Sequence, residues 1–143
     1  MLRSVLRESL PENALTPNAS GTGAWPTLLI VDSDPQMLQT LVCYFEKRGF
    51  HVAASATLAE AKTYLHRRKT WTLVISDYHL PDGTGLELFW CVREQVGMST
   101  PVLLMSGSAQ AAALCAGIDY LPKPFPLADL ERRVRLLLGR MGN

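Results

Sequence analysis

Leu73-Val74-Ile75-Ser76-Asp77 runs directly into Tyr78-His79-Leu80-Pro81-Asp82-Gly83-Thr84-Gly85. The first four residues are apolar or small without a polar–apolar alternation. Such a run suits a strand covered on both faces, as in a parallel sheet between helices. Pro81, Gly83 and Gly85 break the second stretch into turns. Thr84 with Glu87 three positions on has the spacing of a helix capping box, and Leu86, Phe89 and Trp90 then supply apolar helical positions. Asp77 therefore sits at the carboxyl end of a buried strand, with no basic residue beside it in sequence. A carboxylate there needs a partner from elsewhere in the fold, because burying an unpaired charge is costly.

The same alternation extends in both directions. Apolar runs recur at Leu28–Val31, His51–Ala54, Val102–Met105 and Ile118–Leu121, and helical patterns lie between them. The first helix carries Met37, Leu38, Leu41, Val42 and Phe45 and stops at Gly49. The second opens with Thr57 and Glu60, again at capping-box spacing, and buries Leu58, Ala61 and Leu65. The last starts at Pro126 and presents Leu127, Leu130, Val134, Leu137 and Leu138. Repeated strand–helix units with right-handed crossovers predict a doubly wound five-stranded parallel sheet with helices on both faces; strand order 2-1-3-4-5 is expected. In such a sheet the binding crevice lies beyond the carboxyl strand ends, where strand order reverses; here that is between strands one and three.

That rim collects chemistry. Strand one leads into Asp32-Ser33-Asp34-Pro35, strand three ends in Asp77, strand four in Ser106-Gly107, and strand five leads into Pro122-Lys123-Pro124. Clustered carboxylates repel and need a shared cation. Oxygen ligands at a hydrated rim suit Mg²⁺, which takes one or two carboxylates and keeps waters. A lysine and a hydroxyl beside them form a cradle for a phosphoryl group. Asp34 has a plain structural alternative as an N-cap ahead of Pro35.

These residues, in this order, resemble the receiver domain of bacterial two-component response regulators. The resemblance runs from Thr27 to about Arg140. It rests on the acids after strand one, on Asp77-Tyr-His-Leu-Pro-Asp-Gly-Thr-Gly-Leu-Glu-Leu, on Ser106-Gly107, and on Tyr120-Leu-Pro-Lys123-Pro124-Phe125. It implies a flavodoxin-like fold and an Asp77 that accepts a phosphoryl group from a phosphohistidine on a sensor histidine kinase or histidine phosphotransfer protein. It implies Mg²⁺ held by Asp32, Asp34, Asp77 and the backbone carbonyl of His79. Ser106 and Lys123 would bind the phosphoryl oxygens, Tyr120 would report the active state by its rotamer, and the Lys123–Pro124 bond would be cis. The output would be a downstream protein target, reached through helix four, strand five and helix five, and the family also admits a homodimer. No turnover of an external substrate is expected.

Two departures bear on that reading. The family usually has two adjacent acids after strand one, whereas here Ser33 follows Asp32; a hydroxyl brings no charge to a metal. Ser106 and Lys123 are 17 positions apart, fewer than is usual, so the fourth helix is predicted to be short. Both departures motivate an alternative, a degenerate receiver that binds partners without phosphorylation. A reading from another class takes Asp32-Ser33-Asp34 as the Asp-x-Asp of a haloacid-dehalogenase-like phosphatase, with Asp32 as nucleophile and Asp34 as acid/base. It lacks a suitable acidic pair after the lysine, since Asp129 and Glu131 lie in an amphipathic helix.

Composition narrows the remaining classes. With 48% hydrophobic and 19% charged residues the chain is globular, and a net charge of +1 gives no general attraction to nucleic acid or an acidic membrane. No apolar run reaches the roughly 18 residues of a membrane span, and no signal-like h-region opens the chain. A cytoplasmic protein is expected. Cys43, Cys91 and Cys115 read as small core residues. Residues 1–26 are predicted to be a flexible tail, rich in Pro, Asn, Ser, Thr and Gly from Pro11 onward, with 27–143 forming the receiver domain. Leu2, Val5, Leu6 and Leu10 could share one side of a short helix, which alone is marginal in water. No effector domain is expected beyond helix five.

Overall fold

The computed structural model describes residues 26–141; the expected tail lies almost wholly outside the described residues. Strands β1 (Thr27–Val31), β2 (His51–Ser55) and β3 (Leu73–Asp77) are followed by a two-stranded hairpin, β4 (His79–Leu80) and β5 (Gly83–Thr84). Strands β6 (Val102–Ser106) and β7 (Asp119–Pro122) complete a five-stranded parallel sheet in the order β2-β1-β3-β6-β7. Taken in chain order, the five sheet strands adopt the expected 2-1-3-4-5.

The sheet strands are apolar throughout because both faces are covered. Leu28, Ile30, Leu73, Ile75, Leu103 and Met105 face one core, shared with Leu38, Leu41, Val42 and Phe45 of α1 (Pro35–Glu46) and Leu130, Val134, Leu137 and Leu138 of α5 (Leu127–Met141). Leu29, Val31, Val74, Val102 and Leu104 face the other, with Leu58, Ala61 and Leu65 of α2 (Leu58–Arg67) and Leu88 and Val92 of α3 (Gly85–Gln95). Successive residues of one strand thus enter opposite cores, the period of two that the pleat imposes.

The fourth helix, α4 (Ala109–Leu114), has only 6 residues, so the expected shortening is present. Its single buried residue is Ala111, which leaves Leu114 61% exposed.

Several local expectations need correction. On α3 the buried positions are Gly85, Leu88 and Val92, whereas Trp90 is 58% exposed. The helix is apolar around most of its circumference, so the pattern alone did not select a face. Pro126 precedes α5, its carbonyl accepting the amides of Asp129 and Leu130. Cys43 is exposed on α1; only Cys115 is buried, and burial pushes its thiol pKa up. Among the described residues no helix is long and apolar enough to cross a membrane.

Candidate functional site

Register brings the singled-out residues to one edge. Val31 of β1 lies opposite Ser55 of β2 and Ser76 of β3, Asp77 opposite Met105 of β6, and Ser106 opposite Pro122 of β7. Asp32, Asp77, Ser106 and Lys123 therefore each stand at, or one residue past, a carboxyl strand end. This is where the parallel sheet reverses its order.

Asp32 has no exposed surface. Its amide donates to the carbonyl of Ser55 at 3.0 Å. Its carboxylate is held on both oxygens: Oδ1 accepts the Asp34 amide at 2.8 Å and Oδ2 accepts Lys123 Nζ at 2.9 Å. The same ammonium lies 3.5 Å from Asp77 Oδ2. One lysine thus bridges a pair of carboxylates from two adjacent strands and offsets part of their repulsion.

Burial raises the pKa of Asp77 above the ordinary carboxylate value. Lys123 and the His79 amide oppose that shift, whereas Asp32 reinforces it. For Lys123, burial works against the charge, but the hydrogen bond and attraction to Asp32 and the nearby Asp77 prevail, and its pKa is raised. Together these shifts describe a half-buried acid and a firmly charged ammonium sharing one space.

Ser106 is buried, and its Oγ accepts the amide of Ser108 at 3.0 Å. The carbonyl of Ser106 accepts both the Lys123 amide at 2.9 Å and the Tyr120 hydroxyl at 2.8 Å. Tyr120 also reaches the carbonyl of Ser108 at 3.3 Å, and its own carbonyl accepts Arg133 Nη1 at 2.7 Å. The loop after β6 is thereby joined through Tyr120 to β7 and α5. The Lys123–Pro124 peptide is cis.

Asp34 joins this group through its backbone amide, whereas its carboxylate is engaged elsewhere. It is exposed, and its Oδ1 accepts the Gln36 amide at 3.0 Å as the N-cap of α1. Ser33 is also exposed. Among the described residues no group of three or more His, Cys, Asp or Glu side chains is arranged to hold a metal. Asp32 cannot readily serve as the nucleophile of a phosphatase, because it is inaccessible and its oxygens are engaged.

Sequence reasoning did not single out Asp82. Its Oδ1 accepts the Leu58 amide at 2.7 Å and its Oδ2 the Ala59 amide at 2.9 Å, across more than twenty positions of chain. Within Pro81-Asp82-Gly83 it reads as a turn residue, and nothing local signals a contact to another helix. Neither Ser55 nor the bond from Arg133 to the Tyr120 carbonyl carries a local sequence signal.

The comparisons with known proteins agree with this geometry. The family model for the response regulator receiver domain matches residues 28–135. The chain is 36% identical over 121 residues to the transcriptional activator protein PfeR of Pseudomonas aeruginosa, covering 81% of this chain and 39% of that protein. It is 37% identical over 112 residues to the photosynthetic apparatus regulatory protein RegA of Rhodovulum sulfidophilum, covering 76% and 61% respectively. Among solved structures, the signal receiver domain of an HD domain-containing protein from Pseudomonas fluorescens aligns with a TM-score of 0.75 at 27% identity, covering 86% of this chain and 93% of that one. The chain belongs to the response regulator receiver domain family, and it is a receiver domain of a two-component signalling system. It spans only about half the length of the curated relatives it matches.

Proposed function

We propose that Asp77 is the phosphoryl acceptor of this receiver, charged by a phosphohistidine on a sensor histidine kinase or histidine phosphotransfer protein. The observation that carries the reading is the Lys123 ammonium, 2.9 Å from buried Asp32 and 3.5 Å from half-buried Asp77 at the carboxyl edge of the sheet. An Asp77 oxygen attacks phosphorus, the phosphorus–nitrogen bond breaks, and the electron pair leaves with the donor imidazole, which then takes a proton. A carboxylate needs no general base for this step. The product carries added negative charge and acceptor oxygens beside Lys123 and Ser106. Lys123 then turns from Asp32 toward the phosphoryl oxygens, and Ser106 donates its hydroxyl to them.

The donor set fits Mg²⁺, which needs only one or two carboxylates and retains waters. Asp77 and the His79 carbonyl would hold it, joined by Asp32 once Lys123 releases its Oδ2, with Asp34 reaching it through water if it leaves its cap. When bound, the ion offsets the repulsion between carboxylate and incoming phosphoryl group. The charge gained on Asp77 would draw the Ser106–Ser108 loop inward and shift Tyr120, biasing a two-state equilibrium. With α4 so short, β7 and α5 would carry most of the contact with a downstream protein target or a second copy. The unit acting this way is residues 27–143, in the cytoplasm.

Incubating the chain with acetyl phosphate and Mg²⁺ tests the reading. Wild type is expected to form a base-labile, hydroxylamine-cleavable acyl phosphate only when Mg²⁺ is present, and Asp77→Asn none. Failure of folded wild type to take up phosphate, or undiminished uptake by Asp77→Asn, would overturn it.

A further inference from the structure

The loop that leaves Asp77 is fastened to a helix it does not precede. An α-helix begins with amide groups that have no partner within the helix. At the start of α2 each has been provided for. Thr57 N donates to Ser55 Oγ at 3.2 Å, Leu58 N and Ala59 N to the two oxygens of Asp82, and Glu60 N to Thr57 Oγ1 at 3.1 Å. Two of these amides are therefore capped by a carboxylate from the β4–β5 hairpin. That hairpin carries His79, two residues past Asp77 and paired with Thr84.

The attachment is tight. A methyl group on Gly83 would come within 2.4 Å of Leu58 Cδ2 and 2.5 Å of Glu87 Oε1. Leu58 itself is buried, so it gives the hairpin a firm surface. The far side of the same turn is tied to the other acid of the site, because Ser55, whose hydroxyl accepts the Thr57 amide, also accepts the Asp32 amide on its carbonyl. The first turn of α2 thus touches both halves of the acidic edge: β1 through Ser55 and the segment after β3 through Asp82. The amides of Leu58 and Ala59 hold the Asp82 carboxyl below its usual pKa, so it is an anion at the positive end of a helix at neutral pH.

We infer that Asp82 is a positioning residue: by clamping the β4–β5 hairpin to the first turn of α2, it fixes the His79 backbone relative to Asp77 and so sets the site's affinity for a divalent cation. The inference rests on the proposed role of Asp77 and its neighbours. Groups that orient a ligand from behind typically change metal affinity by about 10- to 100-fold when removed. Because the Asp82 carboxylate is spent on the α2 amides, its effect passes through the backbone of the hairpin.

The test compares Asp82→Ala, Asp82→Asn and Thr57→Ala, each checked for native circular dichroism and urea stability. Thr57→Ala removes the cap on Glu60 from the same helical turn but leaves the clamp intact. Mg²⁺ alone is titrated calorimetrically into each protein, and acetyl phosphate uptake is followed separately. The expected result is a fall of about 10-fold in Mg²⁺ affinity for Asp82→Ala, with Thr57→Ala at the wild-type value. Asp82→Asn, which keeps one acceptor oxygen, should fall between them. Wild-type affinity in Asp82→Ala, or an equal loss in Thr57→Ala, overturns the inference. Absence of phosphoryl uptake by wild type instead defeats the role of Asp77, so the two failures are distinguishable.

Discussion

Replacing Lys123 with Met removes the one ammonium that Asp32 and Asp77 share while keeping most of the stem's volume. Asp32 would lose its 2.9 Å hydrogen bond with no surface open to water, and Asp77 would lose a 3.5 Å neighbour. Breaking one side of a buried ion pair costs about 3–5 kcal/mol, and a hydrogen bond to a charged group contributes about 1.5–3 kcal/mol. Lys123 keeps 21% of its side chain exposed, so water can replace the departing ammonium part of the way. The loss at pH 7 should therefore lie near the lower bound, about 3 kcal/mol. A domain with an ordinary stability of about 5–15 kcal/mol survives this, and urea melts measure it.

The direction of the Asp77 shift sets the pH dependence. Its folded pKa is already raised and Lys123 opposes that rise, so the variant's value is higher still. The folded variant then binds a proton more readily than the unfolded chain. Its deficit relative to wild type is full above the variant's folded pKa and shrinks as pH falls to the wild-type folded pKa, which itself lies above the unfolded value of about 3.9. Mg²⁺ should also stabilise the variant more than wild type, by replacing the lost cation. A deficit below about 1 kcal/mol at pH 7, as for a surface pair, or one unchanged on acidification, would refute the reasoning.

Gly85→Ala would set a methyl 2.6 Å from the backbone oxygen of Asp77 and 3.0 Å from Leu104 Cδ2. Overpacking there should cost about 2 kcal/mol in a urea melt and slow phosphorylation of Asp77, and wild-type stability would contradict it. In the Mg²⁺-free protein the Asp77 carboxyl should titrate above an ordinary aspartate, because burial raises its pKa, and carbon NMR of the side-chain carboxylate reads the midpoint. A midpoint at or below the ordinary value, about 3.9, would contradict that shift.

The strands were legible because they are buried on both faces, so each appears as an unbroken apolar run such as Leu28–Val31. Their order was an expectation for alternating strand–helix units, and no residue specifies it. The partnership of Asp32 with Lys123 was only half legible: topology brought both to one edge, but the hydrogen bond joins residues 91 positions apart. Asp34 illustrates the opposite limit, since one residue type serves equally as metal ligand and helix cap, and here its carboxylate accepts the Gln36 amide. The β4–β5 hairpin was invisible because its two-residue strands carry no periodic signal. With the hairpin went the function of Asp82, whose partners are backbone amides that every sequence contains. Trp90 and Cys43 were misjudged because helices apolar on several sides do not reveal which side is covered.

The central claim is that Asp77 takes up the phosphoryl group. Borohydride reduction of the chain after treatment with acetyl phosphate and Mg²⁺ converts an acyl phosphate to an alcohol, which peptide mass spectrometry locates. The prediction is homoserine at position 77, absent when Mg²⁺ is chelated. Reduction at Asp32 or Asp34, or no reduced aspartate in a folded and Mg²⁺-saturated protein, would contradict it.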